Sequence, residues 1–267
     1  MTRADSGGSE QQFRHYRPAR PLADFVELFW YWRGHSTPHS RERLLPTGTV
    51  ELVIDLNSEH PEDSVVAGAR TSAWEIDRTA ADHLLGIHFQ PGGAWPFLPF
   101  AFRELRDTDL SIADLWGETR ARELLERLQA ATSVTLRFRV LEQWLVASAR
   151  RPLGHHRAVA YALGALSAEP PPVALLAERV GLSQRRFIQL FEAEVGFTPK
   201  LYSRLQRFTR TVDRVARVET EVDWPDLALE LGYYDQAHFN HEFSEFSGLT
   251  PRQYLTRRTA HSHHVQA

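Results

Sequence analysis

The stretch Ala177-Glu-Arg-Val-Gly181, followed by Phe187, Phe191, Gly196-Phe-Thr-Pro199 and Tyr202, occurs a second time in the chain. The second copy reads Ala228-Leu-Glu-Leu-Gly232, then Phe239, Phe243, Gly248-Leu-Thr-Pro251 and Tyr254. The alanines and the first glycines are offset by 51 residues; the phenylalanines, second glycines, prolines and tyrosines are offset by 52. The one-residue slip falls in the turn after the first glycine, and turns absorb insertions that packed helices do not. An internal repeat outranks other sequence signals when the architecture is being read.

Each copy spells a helix, a tight glycine turn and a second helix. Ala-x-x-x-Gly places a small residue one turn before a residue free to adopt positive φ, so the first helix ends sharply. Ser183 and Asp235 are good N-caps for the next helix. Phe at i and i+4 gives that helix a buried face, and Gly196 or Gly248 closes it. Thr198-Pro199 and Thr250-Pro251 then read as an N-cap and a proline at the first position of another helix. The unit is a helix-turn-helix, whose second helix enters a DNA major groove. Structural helical repeats share this outline but generally stack three or more units, and two copies are present here.

The segment joining the copies separates two stripes. Lys200, Arg204, Arg207, Arg210, Arg214 and Arg217 recur at spacings of three or four, as do Leu201, Leu205, Phe208, Val212 and Val215. On one helix the apolar stripe packs both units and the basic stripe is expected to face phosphates. An isolated charge run is more often a solvated face; this one lies between two reading units.

Residues 155–258 resemble the AraC/XylS family of bacterial transcription regulators, most clearly in Gly232-Tyr-Tyr-Asp-Gln-Ala-His-Phe239, Phe243 and Gly248-Leu-Thr-Pro-Arg-Gln-Tyr254. The resemblance implies two helix-turn-helix units on a linking helix, inserted into successive major grooves roughly 34 Å or 10 bp apart. It places Gln184, Arg185, Ile188 and Gln189 of the first copy at base edges, and Gln236, Ala237, His238, Asn240 and His241 of the second. Arg grips guanine and Gln adenine bidentately, whereas Ile188 offers apolar contact alone. Many family members carry Arg where His241 stands. A structural hydrogen bond is an equal reading for His238. Lys200, Arg204, Arg207, Arg210 and Arg252 are the expected phosphate contacts. From residue 155 onward 13 basic side chains face 13 acidic ones, so the positive field must be local.

Length and composition bound the rest. The chain has 267 residues, which suggests two domains, and is 42% hydrophobic and 24% charged with a net charge of −3. It has no cysteine, which removes disulfides and thiolate chemistry and fits a reducing cytoplasm. No apolar run approaches the ~18 residues of a membrane span. Residues 1–12 lack the apolar core of an export signal and read as a disordered tail, like the His-rich end at 259–267.

The N-terminal half reads as strands. Phe25–Trp32, Thr49–Leu56, Val65-Val66 and Leu84–Phe89 are aromatic or β-branched runs bounded by turns, which suggests a small β-barrel or double-sheet fold. Helices are expected at 118–131 and 134–150, the second capped at Thr132 or Ser133, and they are the expected place for dimerisation or coupling. Arg151-Pro-Leu-Gly154 reads as a linker, and Pro170-Pro-Pro172 as a break between two helices of one domain. Leu45-Pro-Thr-Gly-Thr-Val-Glu-Leu-Val-Ile and His88-Phe-Gln-Pro-Gly-Gly-Ala94 resemble the cupin-like sensor domain of some AraC-type regulators, although the cupin metal motif is absent. Trp30, Trp32, Glu51, His88 and Gln90 are candidates for an effector pocket; core tryptophans are the competing reading. His35-Ser-Thr-Pro-His39 reads as a solvated loop rather than a metal pair.

The resulting expectation is an α+β chain of two domains. A cupin-like sensor or dimerisation domain spans 13–152, and an all-α DNA-binding domain spans 153–258. The latter holds helix-turn-helix one at about 173–196, the linking helix at 199–217 and helix-turn-helix two at about 224–248. The expected partners are double-stranded DNA and a small-molecule effector, with RNA polymerase implied by the resemblance and the homodimer left open. No cofactor, metal or membrane is expected. No Ser-His-Asp, paired-Cys or phosphate-loop pattern is present, so an enzyme is not expected. The alternatives are a cupin-type enzyme with a helical accessory domain, which would need metal ligands or an acid–base pair, and an interaction scaffold.

Overall fold

A computed structural model of the chain describes residues 12–34, 41–77, 82–166, 170–218, 222–259 and 261–266. His35 and His39 lie outside the described residues, as does nearly all of the expected N-terminal tail.

The N-terminal part is built on two antiparallel sheets. Its strands are β1 (Gln12–Tyr16), β2 (Val26–Arg33), β3 (Arg41–Leu44), β4 (Glu51–Asp55), β5 (Val65–Ala67), β6 (Trp74–Asp77), β7 (His83–Phe89) and β8 (Asp109–Ser111). A ninth, β9 (His264–Gln266), comes from the other end of the chain. The larger sheet has the order β1-β2-β7-β4-β5-β8 and the smaller β6-β3-β9. This is the double-sheet form of the expected domain; the closed barrel is not formed among the described residues. Closure requires the edge strands to meet in a common stagger. Here one edge is the largely exposed β1 and the other the three-residue β8.

Alternation sorts the larger sheet into two faces. Phe29 and Tyr31 of β2 lie opposite Ile87 and Leu85 of β7, which in turn lie opposite Leu52 and Ile54 of β4. All six are buried. Helices cover this face: α1 (Ile112–Trp116), α2 (Glu118–Ala130) and α3 (Val134–Ala147), the last capped by Ser133. Phe138 of α3 meets the rings of Phe29 and Tyr16 at 6.3 and 5.9 Å. Gln129 of α2 ties the layers further, its side-chain amide donating to the Leu56 and Ser58 carbonyls.

The second part is helical: α4 (Arg157–Leu166), α5 (Val173–Arg179), α6 (Gln184–Val195), α7 (Pro199–Ala216), α8 (Trp224–Glu230), α9 (Gln236–Ser247) and α10 (Pro251–Arg257). The duplicated unit appears as α5-α6 and α8-α9, with α7 between them. Gly181 and Gly232 take φ of +71° and +78° at the paired turns, and Gly196 and Gly248 close the second helices at +89° and +69°. Ser183, Thr198, Asp235 and Thr250 each accept the expected capping hydrogen bond. The apolar stripe of α7 is buried at Leu205, Phe208, Val212 and Val215. Phe208 packs on Phe243 and Phe246 of α9 at 5.4 and 5.2 Å, and Tyr202 on Phe191 of α6 at 5.6 Å. Fully burying one such side chain contributes about 1.5–3 kcal/mol.

The two parts share an extensive junction. Phe102, in a short 3-10 turn, is fully buried against Gly196. Gly48 sits against Phe197 and Leu205. The Ala73 amide donates to the Phe246 carbonyl at the end of α9. β9 adds to the edge of β3, with Val265 opposite Arg43 and fully buried. Residues 259–267, expected as a disordered tail, therefore include an ordered strand: backbone pairing and burial of one valine hold what its polar composition suggested would be free.

Candidate nucleic-acid interface

α6 and α9 present the side chains that the duplication predicts. On α6 the inward row Phe187, Phe191 and Val195 is fully buried, which turns the opposite row to solvent. Gln184, Arg185 and Gln189 are exposed on that row and Ile188 is half-buried. Arg186 is exposed beside them and was not singled out from sequence. On α9, Phe239, Phe243 and Phe246 are buried, while Ala237, His238 and His241 are exposed and Gln236 and Asn240 half-buried. Tyr234, just before the helix, is 86% exposed. An exposed aromatic in the turn of a helix-turn-helix is a second candidate that sequence reasoning missed.

His238 is held structurally. Its Nδ1 accepts the Tyr234 amide at 3.3 Å and its ring meets Tyr233 edge-on at 5.4 Å. Because Nδ1 accepts, the ring hydrogen of the neutral form sits on Nε2. His241, like His238, lines a cleft between α7 and α9 to which Lys200 also contributes.

The basic stripe of α7 differs from the expectation at three positions, where arginines pair with carboxylates. Arg204 Nε donates to Glu242 Oε2 at 2.9 Å and its Nη2 to Glu245 at 2.5 Å. Arg207 grips Glu242 bidentately, Nε to Oε1 at 2.9 Å and Nη2 to both oxygens at 2.8 Å, and lies over the Tyr233 ring at 4.6 Å. Glu242 is only 3% exposed. Burial opposes the Arg204 charge, but the hydrogen bonds and charges of Glu245 and Glu242 outweigh it and raise its pKa further. Burial pushes the Tyr233 phenol up to about 12. Arg214 pairs with Glu230 at 3.1 Å, both partly exposed. Part of the predicted phosphate stripe thus ties the linking helix to the second unit. Lys200, Arg210 and Arg252 are exposed.

The N-terminal candidates converge on one face of the larger sheet. Trp30 lies opposite Gly86, Trp32 opposite Leu84, and Glu51 opposite His88, all on the face away from the helices. The Trp30 indole covers Gly86, where an added Cβ would stand 2.4 Å from the ring. His88 Nδ1 is 3.1 Å from Glu51 Oε1, its Nε2 is 3.2 Å from Thr49 Oγ1, and Glu27 is 3.6 Å away. Burial lowers its pKa, but the Glu51 hydrogen bond and the Glu51 and Glu27 charges win and raise it. Gln90 lies in the turn after β7, its amide bound to the Phe25 carbonyl. Among the described residues no three His, Asp or Glu side chains are grouped to hold a metal ion.

Two family models match the chain. One, described as a domain of unknown function, covers residues 14–111; the other, described as a helix-turn-helix domain, covers residues 176–257. With the duplicated, capped units already described, the fold and site define a DNA-binding transcription regulator. Its C-terminal part carries this helix-turn-helix domain, as the resemblance to AraC/XylS regulators implies. No curated protein matches it. Solved structures of ToxT from Vibrio cholerae match at low identity. One covers 92% of this chain and 98% of that chain at 9% identity and TM-score 0.40. A second, bound to an unsaturated fatty acid, covers 95% and 97% at 11% identity and TM-score 0.36. No helix among the described residues is long and apolar enough to cross a membrane.

Proposed function

We propose that the chain binds a specific DNA sequence by placing α6 and α9 in successive major grooves of one DNA face. The observation that carries this reading is the pair of capped helices with buried phenylalanine rows and exposed opposite rows, mounted on one linking helix. Arg185, Gln184 and Gln189 supply bidentate donors and acceptors for guanine and adenine, and Arg186 extends the same row. The second unit offers His241, Gln236 and Asn240, with Ala237 for apolar contact and His238 held in place. Lys200, Arg210 and Arg252, with Tyr234 at the turn, supply phosphate contacts. The first unit dominates sequence choice and the second supports it.

The N-terminal domain is read as the sensor. Trp30, Trp32, Glu51 and His88 share one sheet face, and Gln90 follows His88 at the end of β7; this grouping supports the reading of an effector site there. An effector changes DNA affinity only through unequal affinity for two states of the chain. The protein acts where the DNA is.

The test is selection of duplexes from a random library by the full chain, repeated with Arg185→Ala/Gln189→Ala. Each good bidentate pair discriminates by about 1–3 kcal/mol, so preference at one or two base positions should fall about tenfold or more. An unchanged set of selected sequences contradicts the assignment of α6.

A further inference from the structure

We propose that Glu242 is a positioning residue that fixes the distance between the two reading helices and so sets the half-site spacing the protein accepts. The inference rests on the two-groove reading above.

Glu242 is the one residue of α9 whose charge is directed inward among the phenylalanines, between Phe239 and Phe243. Its two oxygens receive hydrogen bonds from both Arg204 and Arg207, one helical turn apart on α7. Arg207 also donates to the Gly232 carbonyl at 3.3 Å, in the turn that aims α9. Arg204 continues over the Phe246 ring at 5.1 Å. Two planar guanidinium groups thus clamp one carboxylate in two directions, which resists both sliding and rotation of α9 along α7. Apolar packing alone tolerates such movement better, because dispersion contacts are individually weak and non-directional.

The first unit has no counterpart. The position 52 residues earlier is Leu190, and α6 is seated on α7 through Phe191, Phe197 and Tyr202. Its buried carboxylate, Glu194, faces His155 instead. The clamp therefore defines the second unit's placement relative to a linking helix already attached to the first. The same clamp withdraws two arginines from the DNA-facing charge, consistent with a domain whose basic and acidic side chains balance.

The experiment uses full-length wild type and Glu242→Gln with a duplex selected by the wild type, and with duplexes in which the spacing between its two contact tracts is changed by one or two base pairs. Wild type should lose at least about tenfold affinity per altered spacing. Glu242→Gln, isosteric but uncharged, should discriminate less than about threefold while retaining the same preferred bases within each tract. Its affinity should also fall more steeply with salt as the released arginines meet phosphates, by up to about 0.9 in log–log slope per added contact. If Glu242→Gln does not fold, Arg204→Gln, which leaves the bidentate Arg207 pair, should give intermediate discrimination. Wild-type spacing discrimination in a folded Glu242→Gln, or in Arg204→Gln, overturns the role of Glu242. No spacing preference in the wild type would instead overturn the two-groove reading on which it rests.

Discussion

His155 Nδ1 lies 2.9 Å from Glu194 Oε2, with the two side chains only 9% and 6% exposed. Glu194, on the inward face of α6, also accepts the His156 amide at 3.1 Å, just before α4 begins. From the other side the N-terminal domain touches the same imidazole. Phe25 lies 5.7 Å away ring to ring, and the Cβ position of Gly92 is 3.1 Å from His155 Cε1. One histidine therefore joins the N-terminal domain, the start of the helical domain and α6.

Glu194→Ala leaves the buried His155 imidazole and the His156 backbone amide without their acceptor. Loss of a buried partner costs about 1–3 kcal/mol. Urea denaturation should register at least this much destabilisation, with a loss of DNA affinity larger than for Glu192→Ala on the same helix. A change under about 0.5 kcal/mol would show that the pair does not seat α6.

Gly196 and Gly181 separate backbone strain from domain contact. Both have positive φ, but an added Cβ at Gly196 would lie 2.6 Å from the Phe102 ring, whereas nothing lies within 4 Å of the one at Gly181. Gly181→Ala should cost about 1–2 kcal/mol from the left-handed backbone alone. Gly196→Ala should cost about 1–3 kcal/mol more through overpacking. Adding Phe102→Ala should relieve part of that excess, a coupling readable in a double-mutant cycle. Equal costs at the two glycines would contradict the wedge.

The strand β9 makes a separate prediction. Val265 is fully buried opposite Arg43, and the His264 ring meets Glu42 at 2.9 Å. The neighbouring Ser262 hydroxyl donates to Asp213 on α7 at 2.7 Å. Val265→Asp should detach this segment and accelerate amide hydrogen exchange in 41–44 while leaving β2 and β7 protected. Unaltered exchange in 41–44 would show that the pairing contributes no protection.

His88 gives the N-terminal domain a pH dependence whose sign follows from its neighbours. Its folded pKa is raised above the ordinary 6.5 by Glu51 and Glu27 against the opposing effect of burial. The stabilisation it supplies is therefore fully present below about pH 6.5 and is lost as pH rises through the folded value. Thermal unfolding of wild type minus His88→Gln, followed from pH 5.5 to 8.5, should show that difference shrinking upward. A difference that grows with pH would reverse the sign.

The DNA-binding domain was largely legible because its signals are local. A glycine needing positive φ, a threonine cap before proline and phenylalanines one turn apart are read within a dozen residues, and every one is realised. What stayed hidden depends on partners far along the chain. The pairing of Arg204 and Arg207 with Glu242 spans 38 and 35 residues, so from sequence the arginines read as a phosphate-facing stripe. The available signal was an acid set between Phe239 and Phe243. Strands β3 and β9 are short and polar, and their pairing joins the two ends of the chain. Barrel closure likewise depends on how distant edges meet, which alternation within single strands does not specify.

Placement of α6 and α9 in successive major grooves is tested most directly by hydroxyl-radical footprinting of the full chain on a selected duplex. Two protected tracts on one DNA face, centred about 10 bp apart, are predicted, with the tract under α9 lost or weakened in a variant lacking exposed contacts on that helix, His241→Ala/Gln236→Ala. A single protected tract, unchanged by those substitutions, would contradict the account.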